Sequence, residues 1–219
     1  MSTISEENYI KAIYKLSHDF KNEVTTSSIA DYLDTKASSV TDMVQKLADK
    51  EFVNYMKYQG VSLTSSGKEL AIKIVRKHRL WELFLYQTLG FKWNEIHEIA
   101  EELEHIKSEI LIEKLDKFLN YPKKDPHGDP IPDANGIFPE NKSFDLSKLY
   151  IGKKGIVVGV HDKTSAFLSY LDKINIQLGT EIEILEWYEY DHSVDIKING
   201  TTNVHLSYQV VQNILMIEK

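Results

Sequence analysis

Cysteine is absent from the 219 residues, which excludes disulfides, thiolate zinc sites and cysteine nucleophiles together. There is no uninterrupted apolar run long enough to span a bilayer. The N-terminal MSTISEENYI has neither a basic region nor an apolar core, so a cytosolic protein with no membrane partner is expected. No His-Glu-x-x-His, no Gly-x-Ser-x-Gly elbow and no glycine-rich phosphate or dinucleotide loop occurs, so nothing in the sequence speaks for an enzyme. Proline is scarce and confined, with all five residues between Pro122 and Pro139. Positive charge is in deficit: a net charge of −7 argues against non-specific coating of nucleic acid. It leaves room for a local DNA-binding surface, because that footprint depends on where the Lys and Arg sit. Hydrophobic content of 42% and charged content of 27% fit a folded chain of one large domain or two to three small ones.

What is present reads first as helix. Glu6–Phe20 has apolar residues at helical period, Ile29–Leu33 is a short helix, Asp34-Thr35-Lys36 a tight turn, and Ala37–Glu51 a second helix. The last of these turns Val40, Met43, Val44 and Leu47 inward and keeps a polar outer face. Phe52–Met56 and Val61–Leu63, joined at Gln59-Gly60, alternate like a hairpin, and a long helix follows to Gln87. Helix, short helix, turn, helix, hairpin, helix is the order of a winged helix-turn-helix. In that arrangement Lys36, Ser38, Ser39, Thr41 and Gln45 are expected on phosphates and base edges of a major groove, with Lys46 and the wing's Lys57 on the DNA backbone. The other possibility is a polar face that only meets solvent.

Trp93–Ile110 carries His97, Glu101, Glu104 and His105. If it is one helix, these side chains share an arc of roughly 100°. Such a face is either a solvated acidic surface or a divalent-metal site. His78 and Glu82, at i and i+4 on the preceding helix, offer a second pair that a short turn could bring near. A site rich in oxygen with a minority of imidazole suits Mn2+ or Fe2+. Ser108–Leu119 is a further helix whose Ile110, Leu111, Ile112, Leu115 and Phe118, with Leu80, Trp81, Leu85 and Tyr86, form an expected homodimer interface. The proline-containing stretch 121–144 reads as a linker. Beyond it Lys154–Val160, Glu181–Trp187, Val194–Ile198 and Thr202–Leu206 read as strands, with Asn199-Gly200 a hairpin turn and a helix around Ser165–Ile174. The expected class is therefore multidomain α+β: a winged helix-turn-helix at 1–73, a helical dimerisation and metal-binding domain at 74–120, and an SH3-like β-barrel at 145–219.

Several stretches carry a resemblance: Glu7-Asn8-Tyr9-Ile10, Ser38-Ser39-Val40-Thr41, Leu63-Thr64-Ser65-Ser66-Gly67, Arg76-Lys77-His78-Arg79-Leu80, Glu101-Glu102-Leu103-Glu104-His105 and Asp125-Pro126-His127-Gly128-Asp129-Pro130-Ile131-Pro132. In these the chain resembles, over nearly its whole length, the diphtheria toxin repressor family of iron- and manganese-dependent transcriptional regulators, including a C-terminal SH3-like (FeoA-like) domain. The resemblance implies that His78, Glu82 and His97 form an ancillary metal set, joined in longer members by a ligand from the SH3-like domain. His161 and Asp162 are the nearest candidates there, while His127 belongs to the linker motif. Glu101, Glu104 and His105 match a sensing set completed near the N-terminus, at the position held here by Asn8. Lys11 stands where manganese-sensing members without the C-terminal domain place a glutamate. Glu101 replaces the cysteine of the iron-sensing branch, and its hard carboxylate leans toward Mn2+ over Fe2+. The implied function is a metal-dependent homodimeric repressor of operator DNA, controlling metal-ion homeostasis. The competing function is a metal-independent winged-helix regulator whose His/Glu face is solvated.

Overall fold

A computed structural model describes residues 2–19, 24–56, 60–140 and 142–219. The chain divides into two compact units. The first comprises Met1–His78, Glu102–Glu109 and Pro132–Ile137, the second Arg79–Glu101, Ile110–Ile131 and Phe138–Lys219.

In the first unit α1 (Ile4–Asp19), α2 (Thr26–Tyr32) and α3 (Ala37–Asp49) precede the antiparallel hairpin β1 (Val53–Met56) and β2 (Gly60–Leu63). Thr25 starts α2 through a reciprocal capping box with Ser28, which satisfies amide groups that a helix start otherwise leaves unpaired. Val24 bridges to Val61, adding a third short stretch to the hairpin. Ile10, Ile13, Ile29, Val40, Val44, Leu47, Val53 and Val61 are buried, so the apolar faces of the three helices and the wing share one core. The polar face of α3 is left outward: Ser38, Ser39, Thr41, Asp42 and Gln45 are exposed. Helix α4 (Ser65–Gln87) begins in this unit and ends in the second.

The second unit holds the rest of α4, most of α5 (Ile96–Leu103), α6 (Glu109–Phe118) and an antiparallel sheet in the order β3-β8-β4-β5-β6-β7. Its strands are β3 (Phe144–Asp145), β4 (Lys154–Val160), β5 (Glu181–Trp187), β6 (Val194–Ile198), β7 (Thr202–Leu206) and β8 (Ile214–Glu218). Strands β6 and β7 are joined through Asn199-Gly200-Thr201, with Asn199 and Gly200 both at positive φ and the Thr201 amide donating to the Ile198 carbonyl, a tight turn of the kind Asn-Gly favours. The expected barrel does not close among the described residues. Strand β3 has two residues and pairs with β8 alone, and β7 pairs with β6, so the sheet keeps two edges. Helix α7 (Ser165–Lys173) instead covers the sheet, sending Leu168 and Leu171 into a core with Val157, Ile182, Ile196, Leu206 and Ile214. A last short helix, α8 (Tyr208–Val211), leads into β8.

Two expectations change. Trp93–Ile110 is not one helix: α5 ends at Leu103, Glu104-His105 form a turn, and α6 starts at Glu109. The common arc therefore holds only for His97 and Glu101. The cause is long-range, because Glu104 and His105 are drawn to partners on α1 and α4. The second change concerns the apolar residues expected between protomers. Leu80, Trp81 and Leu85 are buried within the chain itself, whereas Ile110, Leu111 and Phe118 on α6 are exposed.

Candidate metal centres

In the second unit Glu82 on α4 is buried and its Oε1 accepts from His97 Nδ1 at 3.0 Å. His97 Nε2 lies 3.5 Å from Glu101 Oε1, one turn along α5. The loop after α6 adds two groups that the sequence offered only as part of a motif. Asp125 and His127 are both buried, and a ligand atom from each lies within 4.8 Å of one from Glu82. His127 Nε2–H donates to the Trp93 carbonyl at 2.9 Å. His127 Nδ1 then lies 3.7 Å from Glu82 Oε1; burial works to lower the His127 pKa, but Glu82 and the charge of Asp125 raise it above the ordinary value. Among the described residues, His127 Nδ1 and Asp125 Oδ2 are buried with no hydrogen-bond partner. Burial, with the charges of Glu82 and Asp129 nearby, pushes the Asp125 carboxyl up to about 7. Buried polar atoms without a hydrogen bond are costly, and here two converge with a second carboxylate, the nearest cation being Arg79 Nε at 3.8 Å from Asp125 Oδ2. Two carboxylates and one oriented imidazole fit a divalent cation of the Mn2+ or Fe2+ kind.

The surrounding ionic frame is complete. Arg79 Nη2 donates to Asp129 Oδ2 at 3.0 Å and Lys163 pairs with the same carboxylate. Burial works to raise the Asp129 pKa, but Lys163 and Arg79 hold it below the usual carboxylate range. His161 and Asp162 are engaged elsewhere. His161 Nε2–H donates to Asp145 Oδ1 at 2.9 Å, and Asp162 Oδ1 accepts from the Thr164 amide at 2.8 Å, just ahead of α7.

In the first unit Glu104 is fully buried and its two oxygens take three cationic or polar neighbours. Lys11 Nζ donates to Oε1 and Oε2 at 2.7 and 2.8 Å, and His78 Nδ1 donates to Oε2 at 2.6 Å. His105 Nε2 stands 3.8 Å from Oε1. Burial alone raises the Glu104 pKa, but the hydrogen bond from His78 and the charge of Lys11 bring it below the ordinary value. The residue that reaches His105 from the N-terminus is Glu7, whose Oε2 accepts from Nδ1 at 2.7 Å. The family resemblance implies its neighbour Asn8 for that position. A sharper signal was available: Glu6, Glu7 and Asn8 occupy consecutive positions of one helical turn, and two of them are carboxylates.

On the DNA-binding side, Lys36 occupies the N-cap position of α3, and Ser38, Ser39, Thr41 and Gln45 are exposed along it. Thr41 Oγ1 donates back to the Ala37 carbonyl and Gln45 Nε2 to Asp49 Oδ1. Lys46 is half exposed, with its ammonium 2.9 Å from Glu6 Oε1. Lys57 lies outside the described residues.

A winged helix joined to buried clusters of carboxylate and imidazole defines a class of protein, the regulators that couple a cation to DNA. Models of this kind cover most of the chain. An iron-dependent repressor N-terminal DNA-binding domain matches residues 1–61, an iron-dependent repressor metal-binding and dimerisation domain residues 64–133, and a FeoA domain residues 144–217. The transcriptional regulator MntR of Oceanobacillus iheyensis is 40% identical over 125 residues, which are 57% of this chain and 84% of that protein. The iron-dependent repressor IdeR of Mycobacterium tuberculosis is 34% identical over 143 residues, 64% of this chain and 62% of that one. A solved manganese-dependent transcriptional repressor in complex with manganese superposes with a TM-score of 0.83 at 32% identity, covering 98% of this chain and all of the other. The chain belongs to the diphtheria toxin repressor (DtxR/MntR) family of metal-dependent transcriptional repressors.

Proposed function

We propose that the chain is a cytoplasmic homodimeric repressor that binds operator DNA in response to Mn2+ or Fe2+ and so controls metal-ion homeostasis. The observation that carries this is the convergence of buried Asp125 and His127 on Glu82, with Asp125 Oδ2 and His127 Nδ1 making no hydrogen bond. Glu82, His97, Asp125 and His127 would hold one ion, with Glu101 beside His97. Glu7, Glu104 and His105 would hold a second. His78 engages Glu104, and its i, i+4 spacing to Glu82 keeps it a candidate for the first set too. Asn8, His161 and Asp162 become weaker candidates, because Glu7 takes the N-terminal place and the other two serve local contacts. A bound divalent cation supplies positive charge that these carboxylates and imidazoles share.

The chain's own residues do the remainder. Glu7 ties α1 to His105, so the DNA-binding end of the first unit and the turn after α5 are held together. The exposed face of α3 presents Lys36, Ser38, Ser39, Thr41 and Gln45 to a major groove. Lys46 and the wing's Lys57 would serve the backbone. Ile110, Leu111 and Phe118 fall within about 100° on α6 and supply an apolar stripe for a second copy. The domain division 1–73, 74–120 and 145–219 follows the same assignment of roles.

A ligand can shift a conformational equilibrium only through its difference in affinity for the two states. Operator binding followed while Mn2+, Fe2+, Co2+ and Zn2+ are titrated into the purified chain tests this directly. A rise in DNA affinity with Mn2+ or Fe2+ that is lost in Glu82→Ala with His127→Ala is the expected result. Equal affinity with and without metal would favour the metal-independent regulator, a reading helped by the ammonium of Lys11 already neutralising Glu104.

A further inference from the structure

Two successive residues in the first turn of α1 face different parts of the first unit. Glu7 takes His105. Glu6 takes the far end of α3: its carboxylate lies 2.9 Å from Lys46 Nζ and accepts from Lys50 Nζ at 2.8 and 2.9 Å. Glu6 also closes the start of its own helix, where Oε2 accepts from the Thr3 amide at 3.0 Å while the Glu6 amide donates to Thr3 Oγ1 at 3.3 Å. That is a capping box, so the carboxylate that clasps α3 is fixed to the helix end that carries Glu7. Glu6 is wholly buried although Lys46 and Lys50 are 53% and 38% exposed.

Lys46 and Lys50 are one turn apart on α3 and converge on a single carboxylate, which restrains both the axial position and the roll of that helix. Nothing in the assignment of metal ligands or DNA contacts accounts for a buried carboxylate at this point. We infer that Glu6 is a positioning residue: it transmits the placement of the Glu7–His105 end to the recognition helix, so that ordering one orders the other. The inference rests on the metal-dependent repressor reading above. It adds a specific mechanical link between the metal ligands and α3.

The test uses the full chain, Mn2+ alone as the metal, and a labelled duplex selected from a random pool by the wild-type chain with Mn2+. Mn2+ affinity without DNA, and duplex affinity with and without Mn2+, are measured for wild type, Glu6→Gln, Lys50→Gln and the double variant. Lys46 is left intact because it is itself a candidate for the DNA backbone. The expected result is a Mn2+-induced gain in duplex affinity reduced about tenfold in Glu6→Gln, within the usual range of allosteric coupling. Mn2+ affinity in the absence of DNA stays as in wild type, and the double variant is no worse than either single one. By linkage, the tightening of Mn2+ by the duplex shrinks by the same factor.

A full Mn2+-induced gain in Glu6→Gln overturns the inference. So does an equal loss of duplex affinity with and without Mn2+, which would make Glu6 a purely structural contact. If the wild-type chain itself gains nothing from Mn2+, the repressor reading fails and the inference goes with it. Should Glu6→Gln melt below the assay temperature, Lys50→Gln opens the clasp from the exposed side and decides the question on the same readouts.

Discussion

Lys11→Met removes the ammonium from the fully buried carboxylate of Glu104 while keeping most of the side chain's apolar volume. Breaking a buried ion pair by taking away one partner costs about 3–5 kcal/mol. His78 still donates to Oε2 at 2.6 Å and His105 stays close, which puts the loss at the lower end, about 3 kcal/mol. For a chain of this size that corresponds to a fall of roughly 6–12 °C in Tm. In excess Mn2+ the bound cation takes over the neutralisation of Glu104, and the loss should shrink to about 1 kcal/mol. The difference of about 2 kcal/mol must appear as tighter metal binding, roughly thirtyfold. Melting curves in EDTA and in excess Mn2+, with calorimetric titration of Mn2+, measure all three quantities. The same loss of Tm in both conditions, or none in EDTA, would refute the account of Lys11 as the standing counter-ion of that carboxylate.

Asp125→Asn should weaken Mn2+ binding at the Glu82 set at least tenfold, since outer and inner ligands of metal sites commonly carry that much; equilibrium dialysis would show one fewer tightly bound ion. Ile110→Glu with Phe118→Glu places two charges on the exposed stripe of α6 and should yield a monomer by light scattering, with each chain still folded. Gly128→Ala should destabilise the second unit by more than about 2 kcal/mol. Gly128 has φ +87, and an added Cβ would stand 2.1 Å from the Val158 carbonyl oxygen. A differential scan in which that unit melts unchanged would contradict the close approach.

The elements with strong local signals were readable in the chain. Strands β4, β5, β6 and β7 have the bounds expected from their apolar runs and the Asn199-Gly200 turn. The winged helix followed from helical period, a tight turn and a hairpin, and the repressor family from its motifs. What escaped was decided at long range. Glu104 and His105 look like the next turn of α5, yet they leave it to meet Lys11 and Glu7, 93 and 98 residues away. Nothing local distinguishes that ending from a continuing helix. Asp125 and His127 sit in a proline-containing stretch that reads as linker, and only burial against Glu82 makes them candidate ligands. The closed barrel failed for a similar reason, because the two-residue length of β3 depends on what it pairs with.

The loop that carries Asp125 and His127 is bolted to the sheet. The Val160 amide donates to the His127 carbonyl, and Gly128 and Gly159 let the two backbones touch where any side chain would force them apart. A shortened chain ending before β4 would therefore keep Glu82 and His97 but lose the wall that orients their companions. The surroundings of Glu82 would be left shallower and wetter. In this chain the FeoA-type domain is structural masonry for the loop that faces Glu82, so excising it to study the repressor alone would alter the proposed cation site.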